Sequence, residues 1–338
     1  MFWRLFSGAI LLLTMSASLT FADDNETVSF FQALKSCDSG KIEEFLKNGF
    51  DPNAPYPSSG PEAFLAGFTP VSYTGLLTCS PDRGLYGNVE KIHAYFRSKV
   101  FPILSLLKKY GADLNKKAAL TYFNDKPIIG PSYMSIFWCD LAGSYIESYL
   151  RHAHTLGADF TLTDTAGHDV LFAYLSGMNH LRPNMEFVDY LLKEGVDPQK
   201  SQMFRSLVVW ISYSPSFARQ LFDKAKDLGV DFTDMSISNQ ISGQLLLVDL
   251  YRNLSTEKGT EKDREVGLQI IHELEDLLYQ QSPNILNRPY PRSGRTALMD
   301  MAINFCPATD DRWGQQVFKY RDNYLHSPEK FFEERYGA

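Results

Sequence analysis

The stretch Leu106–Lys117, LLKKYGADLNKK, decides how this chain is to be read. Its leucines and lysines have the spacing of a closing helical turn, with Gly111 directly after it and Asp113 two residues further on. Glycine reaches the left-handed conformation that ends a helix without the steric penalty of a Cβ. Aspartate can then bond backbone N–H groups ahead of it and hold the turn that follows. The same order returns in FLKNGFDPN from Phe45, AHTLGADFT from Ala153, LLKEGVDPQ from Leu191 and AKDLGVDFT from Ala225. A degenerate copy, LLYQQSPNILN from Leu277, carries Ser282 where the glycine is expected, which weakens its helix stop.

The segments between the stops have helical patterning. IEEFL places Ile42, Phe45 and Leu46 on one face at i, i+3 and i+4, and VGLQIIHELEDLL, Val266 to Leu278, repeats that stripe. The pattern predicts about seven helix pairs: Val28–Asp51, with Ser39-Gly40 between its helices, then Thr69–Asp113, Ser132–Asp159, His168–Asp197, Gln202–Asp231, Gly243–Asn284 and Thr296 to roughly Tyr324. The interval between stops is 62 residues from Gly49 to Gly111 and falls to 34 from Gly195 to Gly229. Three interruptions are expected. Residues 52–67, PNAPYPSSGPEAFLAG, are proline-rich and predict an exposed, partly extended loop. Pro102 should kink or split the long helical region Asn88–Tyr110, and residues 255–264, STEKGTEKDR, read as a charged, solvated loop.

A 34-residue interval is close to the roughly 33 residues of an ankyrin unit. Thr69-Pro70-Val71-Ser72-Tyr73 is similar to the run that opens the first ankyrin helix, with Thr as N-cap and Pro at the first helical position. Gly294 followed by RTALMDMA from Arg295 matches well, and Asp164-Thr165-Ala166-Gly167 before His168-Asp169-Val170-Leu171 gives the turn with a weaker start. The chain resembles a divergent ankyrin-repeat protein, with Ser72 and Met299 in place of the motif's histidine. The resemblance implies an all-α, ankyrin-like solenoid with irregular loop insertions, whose business is protein–protein recognition.

The N-terminal residues read as a targeting segment. MFWRLFSGAILLLTMSASLTFADD has Arg4 ahead of a short apolar core, then Thr20 and Ala22 as the small residues of a cleavage site. Residues 1–22 are therefore expected to be a signal peptide cut before Asp23, leaving residues 23–338 as one repeat domain with a C-terminal cap at about 310–338. The apolar core is shorter than the roughly 20 residues of a membrane span, so no stable membrane insertion is expected after cleavage. The product would be periplasmic or secreted. The net charge of −7, made more negative by the loss of Arg4, argues against nucleic acid as a partner.

Four cysteines in an exported chain suggest disulfides, with three possible connectivities. Aligned on the repeats, Cys37, Cys79, Cys139 and Cys306 each fall near the end of a first helix. Cys37 with Cys79 is the expected pair, tying the first repeat across the proline-rich loop for about 4 kcal/mol by the chain-entropy estimate; buried free thiols are the alternative. Asn25-Glu26-Thr27 and Asn253-Leu254-Ser255 fit the glycosylation sequon.

Catalytic signatures are missing from the pattern. His152 and His154 stand two apart on a helix and point away from one another, so they read as a surface pair rather than half a metal site. His168 reads as a structural hydrogen-bonding group of its turn, while Asp310-Asp311 and Glu333-Glu334 read as solvated carboxylates. No nucleophile elbow, zinc-protease, P-loop or calcium-loop motif occurs. No enzyme activity, cofactor or metal is expected.

Aromatic content is high, with 18 Tyr, 24 Phe and 4 Trp. Most read as core. Tyr56, Phe64, Phe68, Tyr86, Tyr122 and Phe123 fall between helix pairs, where the ankyrin resemblance implies loops that project toward the concave face. With Glu62 and Asp125 they are the candidate partner-binding residues, since exposed aromatics are enriched at binding hot spots. The expected function is a non-enzymatic scaffold that binds another protein, either as an inhibitor or immunity-type binder of an envelope-acting protein or as a secreted factor. A monomer is expected. The alternative is a secreted hydrolase or metal-dependent enzyme with its site in the insertions of residues 52–150.

Overall fold

The computed structural model describes residues 24–76, 89–123, 126–138, 144–176, 183–233 and 260–281. They are mostly helical and fall into two compact units, the first ending at Gly167 and the second beginning at His168.

The first unit opens with α1 (Asp24–Lys35) and α2 (Ser39–Lys47). Asp38 caps α2 by accepting from the Lys41 N–H at 3.1 Å. Next come α3 (Pro70–Gly75) and a long helical run made of α4 (Val89–Tyr95), a π-helical turn (Phe96–Val100) and α5 (Phe101–Lys109). Pro102 accounts for the wide turn. It has no N–H to give, and the helix passes it by widening, with the Phe101 N–H bonded to the Phe96 carbonyl, rather than by breaking. A hairpin of β1 (Lys117–Phe123) and β2 (Lys126–Pro131) follows, then a 3₁₀ helix (Ser132–Trp138) and α6 (Ser144–Thr155). The second unit holds α7 (Val170–Leu175), α8 (Met185–Lys193), a 3₁₀ turn (Met203–Ser206) running into α9 (Leu207–Tyr213), then α10 (Pro215–Asp227) and α11 (Glu261–Gln281).

The helix stops behave as their sequence dictates. At Gly111, φ is +97°; its N–H bonds the Lys108 carbonyl at 3.0 Å and the Ala112 N–H bonds the Leu107 carbonyl at 2.9 Å, the two bonds of a Schellman closure. Gly49, Gly157, Gly195 and Gly229 repeat the pattern with positive φ. The residue after each glycine (Phe50, Ala112, Ala158, Val196, Val230) is buried. Asp51, Asp113, Asp159, Asp197 and Asp231 each accept the N–H two residues on at 2.8–2.9 Å. A second set of bonds joins one turn to another. The Asn53 side chain donates to the Gly111 carbonyl at 3.0 Å and accepts the Asp113 N–H at 2.7 Å. Asn115 does the same to Gly157 and Asp159 at 2.9 and 2.8 Å, and in the second unit Gln199 clips both backbone groups of Asp231 at 3.1 and 2.8 Å.

Helix starts are tied in a similar way. Thr69 caps α3 in a capping box with Ser72, Pro70 stands at the first helical position, and the Thr69 hydroxyl meets that of Ser132 at 2.9 Å. Ser72 therefore acts in the cap. The 3₁₀ helix packs so closely on α3 that a Cβ on Gly75 would stand 2.1 Å from the Ser135 Oγ and 3.1 Å from the Ile136 N.

Three features refine or add to the sequence reading. Residues 52–67 form a loop exposed at Pro55, Ser58, Ser59, Pro61 and Phe64 but closed at its neck: the Tyr56 N–H bonds the Phe68 carbonyl at 2.8 Å, the Gly67 N–H returns to the Tyr56 carbonyl at 3.0 Å, and Leu65 is buried beneath. The segment before Ser132, not assigned a structure from sequence, is the hairpin. Thr121, Tyr122, Phe123, Ile128 and Ile129 have the branched and aromatic side chains that strands favour, and Asn124-Asp125 between them are turn-forming types. Its edges are engaged, with the Ala119 N–H bonded to the Gly67 carbonyl at 3.1 Å and the Thr165 N–H to the Ile129 carbonyl at 2.7 Å. Finally, Glu261–Arg264 belong to α11, whose start is capped by Thr260 and Asp263, so the charged loop stops short of 264. The sixth pair's first helix, the seventh pair, Ser282 and the cap at 310–338 lie outside the described residues.

The core of each unit is aromatic. Phe30 stacks on Phe50 at 4.1 Å, and Phe31 meets Tyr56 at 5.1 Å and Tyr73 at 5.0 Å. In the second unit Tyr174 packs on Phe187 and Trp210 on Phe217, and the Trp210 Nε1–H donates to the Leu175 carbonyl at 2.8 Å. These rings bury large areas, and the Tyr56 and Tyr174 hydroxyls accept the N–H groups of Glu62 at 3.2 Å and Asn184 at 2.7 Å.

Candidate protein-binding face

The candidate aromatics divide by what their backbone does with them. Phe64 lies on a single 3₁₀ turn, Ala63–Leu65, where only three residues are available to point inward. Leu65 takes the buried position and Phe64 is 69% exposed. Tyr56 and Phe68 form the neck of the same loop, so pairing their backbones draws both rings inside. Each is 3% exposed, and the placement of these two rings on a surface is corrected. Tyr122 and Phe123 lie in strand β1, not in a loop, opposite Pro127 and Lys126 at the turn end of the hairpin. Tyr86 and Asp125 lie outside the described residues.

The loop that presents Phe64 is held to α1. Glu62 pairs with Lys35 at 2.6 Å, Ser59 donates to the Asp24 carboxylate at 2.5 Å, and the Glu62 N–H donates to the Tyr56 hydroxyl at 3.2 Å. Glu62 is thus committed to an ion pair, which leaves Phe64 as the apolar feature of the loop's outer surface. In the second unit Tyr213 is 72% exposed and Leu228 45% exposed. Sequence reasoning passed over both. Tyr213 stands before Ser214-Pro215, a helix-breaking pair that leaves the last side chain of α9 outside the packing, and that pair was the available signal.

The titratable groups of the first unit serve packing. His152 stacks on Phe101 at 4.6 Å with its Nε2 3.0 Å from the Ser105 Oγ and 3.3 Å from the Phe101 carbonyl; burial pulls its pKa down against that carbonyl bond. His154 stacks instead on Phe160 at 4.8 Å, so the two histidines meet different partners and are half-buried rather than a surface pair. His93 lies against Tyr145 at 4.8 Å and is pulled down by burial and then by Arg97. The phenol of Tyr95, 3.3 Å from the Cys37 Sγ, is pushed up to about 12 by burial. Cys79, the expected partner of Cys37, lies outside the described residues. In the second unit the Arg219 guanidinium grips Asp223 on its own helix and Glu273 of α11 at once, which raises its pKa and lowers that of Glu273. Among the described residues no three His, Cys, Asp or Glu side chains gather to hold a metal ion, and no helix is long and apolar enough to cross a membrane. No protein-family model matches the chain, and no curated protein matches it in sequence.

Proposed function

We propose that this chain is an exported, ankyrin-like solenoid that works by binding another protein and catalyses nothing, in the manner of an inhibitor or immunity-type binder of an envelope-acting protein. The observation that carries the reading is the row of identical stops. Five Schellman closures lead into five Asx turns, and within each unit asparagine or glutamine side chains bind one turn to another. Units that pack only on their neighbours are the physical basis of repeat scaffolds, and their projecting loops are where binding residues gather. The exposed Phe64 and the hairpin end bearing Tyr122 and Phe123 are the contact points of this proposal. A Cys37–Cys79 disulfide belongs to this proposal and would suit an oxidising compartment.

The test is site-specific photo-crosslinking of residues 23–338 in the native envelope or secreted fraction, with the reactive group at position 64 and, as a control, at exposed position 47. One discrete adduct from position 64 that vanishes with unlabelled protein as competitor supports the proposal. Phe64→Ala should weaken capture about tenfold or more, as for a hot-spot aromatic, without lowering Tm. Equal labelling from both positions, or turnover of generic ester or glycoside substrates, would overturn it.

A further inference from the structure

The second unit contains a buried polar contact that the binding proposal does not use. Asp169 is the N-cap of α7, and its Oδ1 accepts the Phe172 N–H at 2.9 Å. Its other oxygen, Oδ2, meets the hydroxyl of Ser201, a residue 0% exposed; Asp169 itself is 4% exposed. Ser201 Oγ also stands 2.7 Å from the Asp197 carbonyl, at the start of the turn after α8. The hydroxyl therefore sits between two acceptor oxygens but has a single proton to give. One proton shared between both oxygens makes two weak bonds, whereas a second proton would give each close contact a full bond of its own. The carboxyl of Asp169 is the group that can carry it.

We infer that Asp169 is a neutral carboxylic acid in the folded protein, donating to Ser201, which in turn donates to the Asp197 carbonyl, and that this relay is a latch between α7 and the turn after α8 that acid keeps closed. The surroundings agree. Burial raises the Asp169 pKa above the ordinary 3.8, outweighing the backbone N–H groups of Phe172 and Leu171 and the Ser201 hydroxyl, and the Asp197 carboxylate adds repulsion against a second charge. Of the cations close by in the chain, Lys200 reaches the Asp197 carboxylate at 4.0 Å, and Arg205 donates to the Gln202 side chain at 3.1 Å. His168, the residue before the cap, stacks flat on Phe172 at 3.9 Å.

The sign follows from proton counting. Folded Asp169 holds its proton to a higher pH than the unfolded chain does, so its stabilisation is complete below the ordinary aspartate range and is lost as pH rises through the folded value. Asp169→Asn tests this, because a carboxamide can accept from Phe172 and donate to Ser201 at every pH. Urea unfolding of residues 23–338 should find the two proteins similar at about pH 4, with the wild type losing ground by up to tenfold in folding equilibrium for each pH unit above it. A constant difference, or a wild type that gains on the variant as pH rises, would overturn the latch. A carbon NMR titration of the wild type supplies the second readout, independent of the variant's folding. The Asp169 carboxyl should titrate above aspartate's usual range; a midpoint within or below that range would refute the inference.

Discussion

A single asparagine does two jobs in the turns of this protein. The side chain of Asn115 both donates to the Gly157 carbonyl and accepts from the Asp159 N–H, filling backbone groups that a helix stop leaves open. Alanine at position 115 removes both bonds at a site where water can partly replace them. The expected loss is about 1–2 kcal/mol in urea unfolding, with aspartate, which keeps only the acceptor, falling between alanine and wild type. An unchanged midpoint for the alanine variant would show that the clip is incidental. Glycine, aspartate and their spacing were legible in the sequence because each is demanded locally by the turn. The second partner of Asn53, Asn115 or Gln199 was not, since nothing near asparagine in the chain says which distant carbonyl it will meet.

At the scale of elements, the contact between α3 and the 3₁₀ helix from Ser132 to Trp138 sets how closely two neighbouring pieces can approach. With the Ser135 Oγ 2.1 Å from where a Cβ would stand, Gly75→Ala must push the two apart. An overpacking cost of about 1–3 kcal/mol is expected, read as a fall in Tm, and Gly75→Ala combined with Ser135→Ala should recover part of it. No recovery in the double variant would place the strain on the backbone at Ile136. Helices α1, α2, α8 and α10 were readable from their apolar stripes and stops. The hairpin and the closed neck of the 52–67 loop were less so, for one reason: both take their shape from backbone bonds to residues far along the chain, Gly67 to Ala119 and Ile129 to Thr165. Proline content alone suggested extension at residues 52–67, whereas the buried Leu65 and the Tyr56–Phe68 neck close that loop. Tyr56 and Phe68 were misplaced on the surface by the same omission.

Across the whole molecule, the two units should respond to acid in opposite senses. In the first, burial holds His152 and His93 below the ordinary 6.5. Their contribution is present above that value and is lost as pH falls through the folded pKa, when a proton must be taken into the packing around Phe101 and Tyr145. In the second, Asp169 favours acid. Hydrogen exchange of residues 23–338, corrected for intrinsic rates, should therefore show α5 and α6 losing protection from pH 7.5 to pH 5 while α7 and α8 hold or gain it. Uniform loss across both would count against the assignment. The side-chain clips have a further consequence for how such a chain can change over generations. Register is measured from each stop glycine to the clip four residues later, a gap that is the same at Gly49, Gly111 and Gly195, whereas the chain from one stop to the next ranges from 34 to 62 residues. Foreign peptide grafted between stops, for instance at the hairpin tip, should be accommodated, while one residue added between Gly111 and Asn115 should throw the ruler out of step.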